Sequence, residues 1–133
     1  MSKLVEELKI EHTIISELLQ EVKRLGIGTK EGQGKLMSVK YQLLAHLEKE
    51  DLHIYPLLKS KAEKDPELKQ TLEFYVTNIE EISKAALDFF KKYSKKESGF
   101  EFGKDFGNLY ATLSLRIAKE EAVLYEKFNE LTR

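Results

Sequence analysis

Apolar side chains recur every three or four residues through most of this chain, the spacing that places them on one face of an α-helix. The predicted helices span residues 2–25, 35–62, 66–93 and the region from residue 104 onward. No stretch of useful length alternates between apolar and polar residues as a strand would. Four long helices with short links predict an all-α fold, an antiparallel up-down-up-down four-helix bundle formed as one domain by residues 1–133.

Capping and breaking residues refine the helix ends. Ser2 is the predicted N-cap of the first helix, and Asp65 with Pro66 supplies the N-cap and first residue of the third. Pro56 lies inside the second helix and should bend it, because proline lacks a backbone donor and clashes with the preceding turn. Loops are predicted where glycines cluster, at residues 26–34 and 94–103.

The composition excludes several classes of protein. Lysine and arginine total 22 against 23 acidic residues, so the net charge of -1 argues against a nucleic-acid partner. Without cysteine there is no disulfide, no thiolate metal site and no cysteine nucleophile. We expect no membrane span, and two acidic residues near the N-terminus argue against a signal peptide, so a cytoplasmic location is expected.

Polar residues interrupt the apolar faces at matching places. His46 and Glu50 lie four residues apart on the second helix, as do Arg116 and Glu120 on the fourth, so each pair shares one helix face. The segments around the two pairs match at an offset of 116 minus 46, or 70 residues, which indicates a pseudo-two-fold bundle. His12 faces inward on the first helix. A core layer of imidazoles and carboxylates is how four-helix bundles hold metal ions.

Taken together, the chain resembles the hemerythrin-like, or HHE cation-binding, domain family over nearly its whole length. The motifs are Glu11-His12 with Ile15, His46 to Glu50-Asp51 with Ile54-Tyr55-Pro56, and Glu120-Glu121 with Leu124-Tyr125. The resemblance implies a bundle that encloses a carboxylate-bridged di-iron centre. That centre binds oxygen in some members and senses oxygen, iron or redox state in others.

The resemblance assigns only part of a ligand set. The ligand positions it retains are His12, His46, Glu50 and Glu120, and Glu121 is a weaker candidate off the inward face. The third-helix histidine position falls on Ile79, and the fourth-helix position falls on Arg116, which cannot be a ligand because it keeps its proton. In the family's arrangement both losses affect the same metal position, so an intact di-iron centre is not expected.

Two interpretations of the remaining residues stay open. In one, the inward polar residues form a metal-free network in which Arg116 supplies the charge of the lost ion. Glu121 and His53 are grouped with that network, although His53 is favoured as a partly buried or surface histidine. In the other, the retained half-site of His12, His46, Glu50 and Glu120 holds one iron, zinc or manganese ion. Tyr55 and Tyr125 are predicted to lie at the core edge with bonded hydroxyl groups.

The expected role is a binding, sensing or interaction domain with a degenerate di-iron site, and the alternative is a single-metal protein. An enzyme is not expected, because no serine sits in a nucleophile elbow and no glycine loop has the lysine of a phosphate-binding motif. A protein partner or a second copy of the chain is compatible with this role.

Overall fold

The computed structural model describes residues 2–93 and 100–132, and these residues form an all-α fold, as predicted. The elements are α1 (Lys3–Leu25), α2 (Lys30–His53), α3 (Tyr55–Ala62), α4 (Pro66–Lys92), α5 (Phe100–Lys119), a π-helical segment (Glu120–Leu124) and α6 (Tyr125–Leu131). They form four antiparallel rods, which are α1, α2 with α3, α4, and α5 with the π-helical segment and α6. Helix α1 packs against α2, α4 packs against both α3 and α5, and α5 packs against α1. Among the described residues, no helix is both long and apolar enough to cross a membrane.

The first glycine cluster is only partly a loop, which corrects the predicted start of the second helix. Helix α2 begins at Lys30 rather than residue 35, because the side chain of Thr29 caps it by accepting a hydrogen bond from Gly32 N. Gly26 ends α1 at a φ of 69°, a conformation that favours glycine. A Cβ atom at Gly32 would lie 1.7 Å from the carbonyl oxygen of Gly26, so the chain can turn this tightly only with glycine there.

The second rod breaks where the proline predicts. A turn at Ile54 separates α2 from α3, and Pro56 lies in the first turn of α3, where its missing donor costs little. Asp65 caps α4 as predicted, since its carboxylate accepts a hydrogen bond from Leu68 N. Ser2 takes the N-cap position of α1, but its side chain makes no capping bond.

The predicted loop at residues 94–103 is partly wrong. Helix α5 already begins at Phe100, and residues 94–99 lie outside the described part of the chain. An aromatic cluster fills the neighbouring end of the bundle core, consisting of Phe89, Phe90, Tyr93, Phe102 and Phe106. Apolar rows on the helices fill the rest of the core around a layer of polar side chains.

Candidate metal centre

The polar layer lies in the middle of the bundle, at the inward positions that the helical spacing predicts. Each of its side chains is at most 5% exposed, and they are His12, His46, Glu50, Arg116 and Glu120. Taking a charge out of water costs several kcal/mol unless a counter-charge, hydrogen bonds or a metal compensates it. Contacts within the layer must therefore compensate its buried charges.

The hydroxyl group of Tyr125 lies at the centre of one half of this layer. Its oxygen is 2.9 Å from Glu120 Oε2 and 3.1 Å from Glu50 Oε2. It is also 3.2 Å from His12 Nε2 and 3.3 Å from His46 Nε2. The phenol ring stacks on the His12 ring, with centroids 5.5 Å apart and planes inclined by 15°. Side chains from α1, α2, the π-helical segment and α6 thus meet at one oxygen atom.

The π-helical segment explains how Tyr125 reaches this position. Within a regular α-helix, residues five apart point about 140° away from each other. The backbone N–H of Tyr125 instead bonds to the carbonyl oxygen of Glu120, five residues earlier, and this wider turn brings both side chains to the same face. π-Helical turns of this kind are frequent at functional sites.

Sequence reasoning missed this role, since it placed Tyr125 at the core edge. The available signal was the repeated spacing of Glu50 to Tyr55 and Glu120 to Tyr125, which is five residues in each motif. Five is not a same-face interval in a regular α-helix, so both residues of such a pair can face inward only where the helix is irregular.

Both imidazoles turn the same nitrogen toward the layer. His46 Nδ1 lies 3.0 Å from Glu11 Oε1, and Lys49 in turn forms an ion pair with Glu11. Because a carboxylate only accepts, His46 Nδ1 is the protonated nitrogen and Nε2 carries the free lone pair. His12 Nε2 also points inward, while its Nδ1 lies 3.6 Å from Glu121 and has no hydrogen-bond partner. The carboxylate behind His46 Nδ1 is the usual support of a metal-binding histidine.

Burial and neighbouring charges move the pKa values of these groups. Burial first, and then the electrostatic influence of the neighbouring His12, lower the pKa of His46, which favours its neutral ring. Burial and the negative charge of Glu120 raise the pKa of Glu50 well above its usual range. Burial would also raise the pKa of Glu120, but hydrogen bonds with Glu50 and His12 and the charge of Arg116 lower it to about 2. Glu50 is therefore the protonated carboxyl of the pair.

Arg116 occupies the other half of the layer. Its Nε donates to Glu120 Oε1 at 2.9 Å and forms a buried ion pair with that carboxylate. One Nη donates to the Tyr55 hydroxyl at 2.7 Å and to the Tyr75 carbonyl oxygen at 3.1 Å, and the guanidinium lies over the Tyr75 ring. Tyr55 and Tyr125 are related by the 70-residue offset. The Tyr55 hydroxyl contacts Arg116, and the Tyr125 hydroxyl contacts the two histidines.

The structure assembles most of the predicted site residues, with two qualifications and one correction. The inward atoms of His12, His46 and Glu120 all lie within 4.8 Å of one another and could hold a metal ion. Glu50 joins this group through the Tyr125 hydroxyl, and Glu121 stays at the rim with 36% of its side chain exposed. Grouping His53 with the buried network is wrong, because the side chain is exposed on the outer face of α2.

Comparison with known proteins agrees with this geometry. The family model described as the Hemerythrin HHE cation binding domain matches residues 3–128 of the chain. The matched range includes every residue of the polar layer and all of the helices except the last three residues of α6. No curated protein and no solved structure matches the chain significantly.

Proposed function

Because the chain belongs to the hemerythrin HHE cation-binding domain family, we propose that it binds one transition-metal ion between His12, His46 and Glu120. In this proposal Arg116 replaces a metal-ligating histidine of a second, lost position. The domain then acts in metal binding or sensing rather than in catalysis.

The observation that carries the proposal is the cluster of potential ligand atoms around one hydroxyl group. One nitrogen of each histidine and one oxygen of each glutamate surround the Tyr125 oxygen. His46 Nε2 carries a lone pair and the Glu120 carboxylate only accepts, so the single hydroxyl hydrogen cannot satisfy both. Among the described residues, His12 Nδ1 and Glu50 Oε1 are also buried atoms without a hydrogen-bond partner. A cation would satisfy the lone pairs that the hydroxyl hydrogen leaves over.

The donor chemistry suits the metals of this kind of site. Two imidazole nitrogens and one or two carboxylate oxygens match iron, zinc or manganese, whereas calcium and magnesium prefer oxygen ligands alone. The ligands are contributed by α1, α2 and the π-helical segment. The Glu11 carboxylate behind His46 Nδ1 would orient that ring for the ion.

Arg116 leaves this half-site intact. It bonds to Glu120 Oε1, while Oε2 of the same carboxylate faces the two histidines. One oxygen can thus stay with the guanidinium while the other binds the ion. On the far side, the guanidinium and the buried Ile79 supply a fixed positive charge and hydrocarbon at the positions of two lost histidines.

A metal-free network is the second candidate, and the Arg116–Glu120 ion pair favours it because it already compensates one buried carboxylate. In that case the layer specifies how the helices pair, and the domain acts through its surface.

Elemental analysis distinguishes the two candidates. The protein is purified without added metal, then loaded with Fe(II), Zn(II) or Mn(II) in separate samples and desalted. We expect one ion per chain in the wild type and a loss of at least tenfold in affinity for His46→Gln. The matched control is His53→Gln, an exposed histidine on the same helix, which should bind like the wild type. Wild-type protein that retains no metal after loading would establish the metal-free network instead.

A further inference from the structure

We propose that Tyr125 is itself a ligand, through its phenolate oxygen, and that the site is thereby suited to ferric iron. This inference rests on the proposed function, since it concerns the ion held by His12, His46 and Glu120. It adds an anionic oxygen donor that neither the helical spacing nor the sequence resemblance assigns.

The distances around the hydroxyl are those of a donor atom. With metal–ligand bonds of about 2.1 Å, neighbouring donors lie about 3.0 Å apart around an octahedral ion and about 3.4 Å apart around a tetrahedral one. The Tyr125 oxygen lies 2.9–3.3 Å from the inward atoms of all four neighbours. An ion bound by His12, His46 and Glu120 would therefore have the Tyr125 oxygen next to its other ligand atoms.

The backbone holds the phenol in this place. The π-helical turn turns Tyr125 to the face of Glu120, and stacking on the His12 ring fixes the plane of the phenol. The side chain is fully buried, so its hydroxyl cannot turn away to water. The backbone and the ring stacking thus fix the Tyr125 oxygen among four potential ligand atoms, which a metal ligand requires and core packing alone does not.

Charge balance also favours an anionic ligand. When the ion binds, the O–H bond of Tyr125 breaks, a metal–oxygen bond forms and the proton passes to solvent. Burial first, and then the negative charge of Glu120, raise the pKa of Tyr125, so the phenol is protonated in the metal-free protein and would ionise only as a bound ligand. A bound phenolate together with Glu120 would offset two of the three charges of a ferric ion. Hard anionic oxygens bind ferric iron well, and no oxidation is needed when the iron is supplied in that state.

The test is absorption spectroscopy with a paired tyrosine control. Metal-free protein is loaded with ferric citrate, desalted and analysed for iron, and its visible spectrum and phenolate resonance Raman bands are recorded. We expect one iron per chain and a phenolate-to-iron charge-transfer band that gives the protein a visible colour. Tyr125→Phe should lose the band and bind ferric iron at least tenfold more weakly. Tyr55→Phe, which removes the equivalent hydroxyl beside Arg116, should keep both the band and the iron.

The outcomes separate this inference from the proposed function. If iron binds to the wild type without a phenolate band, Tyr125 is not a ligand although the metal site stands. If Tyr125→Phe binds iron more tightly than the wild type, the hydroxyl blocks the site instead of ligating, and the inference is overturned. If no metal binds to the wild type, both proposals are wrong. Circular dichroism and thermal melting of both variants without metal show whether each has folded.

Discussion

Replacing Arg116 with methionine tests whether the guanidinium compensates the buried carboxylates. Methionine has a similar length and fills much of the same space, so the change removes charge and hydrogen bonds more than volume. It deletes the donor to Glu120 Oε1 at 2.9 Å and the donor to the Tyr55 hydroxyl at 2.7 Å. Glu120 would keep only 2% exposure, so water could not replace the lost partner.

The structure sets the size of the expected effect. Removing one partner of a buried ion pair costs roughly 3–5 kcal/mol, because the remaining charge stays buried and uncompensated. For a chain of this length, each kcal/mol lowers the melting temperature by roughly 3–5 °C, which gives a total of roughly 9–25 °C. We expect this loss at pH 7 in protein treated with a chelator, measured by urea denaturation and thermal melting.

The pH dependence gives the effect a signature. The native pKa of Glu120 is about 2, below the ordinary value of 4.5. Its contribution to stability is therefore complete above the ordinary value and is lost as the pH falls toward the native one. The difference in the free energy of unfolding between wild type and Arg116→Met should be largest above pH 5. It should shrink below pH 4, where the Glu120 carboxylate of the unfolded chain becomes protonated.

A double variant controls for lost packing. In Arg116→Met with Glu120→Gln, no charge remains to be compensated, and most of the stability should return. A single variant within about 1 kcal/mol of the wild type at pH 7 would refute the reasoning, since a buried unpaired carboxylate cannot cost so little. A metal site of His12, His46 and Glu120 that does not need Arg116 would then be the better explanation of the polar layer.

Three further predictions follow from the same contacts. Arg116→His combined with Ile79→His restores both missing histidines and should raise the metal content from one ion per chain to two; unchanged elemental analysis would show that these positions do not form a second site. Because the pKa of Glu50 is raised, metal-free protein should lose stability as the pH rises above 4.5. Glu50→Gln should therefore weaken the pH dependence of the urea midpoint between pH 5 and 8, and an unchanged pH dependence would assign this loss of stability to another group. Gly32→Ala forces a Cβ atom to 1.7 Å from a carbonyl oxygen and should lower the melting temperature strongly, while Gly34→Ala, with open space around it, should raise it slightly in the same assay.

The sequence determined the helices and the location of the polar layer. Spacings of three and four residues place apolar side chains on one face of each rod, and a polar residue within such a row must lie inward too. For this reason His12, His46 and Glu120 could be placed in the core from the sequence, and a spacing of four placed Arg116 and Glu120 on one helix face, where the structure pairs them. Asp65 and Pro56 likewise marked a helix start and a break, because their effects are local.

Local composition was less decisive where a tertiary contact overrode it. Glycines at 32 and 34 look like loop residues, yet α2 begins before them. Close approach to the end of α1 requires glycine at the first position, and the helix continues through both because its cap and its packing outweigh their poor propensity. His53 is exposed, in line with the surface position favoured for it and not with its grouping in the network.

Only the tertiary structure showed that Tyr125 lies at the centre of the site. Periodicity reports which residues face inward along a regular helix, and it carries no information on where a turn widens to a hydrogen bond between residues five apart. That widening depends on the bundle, in which Glu120 must meet Arg116 while Tyr125 must meet two histidines from other rods. The sequence thus determined which residues could form the layer, and the packing of four rods decided which oxygen atom lies among them.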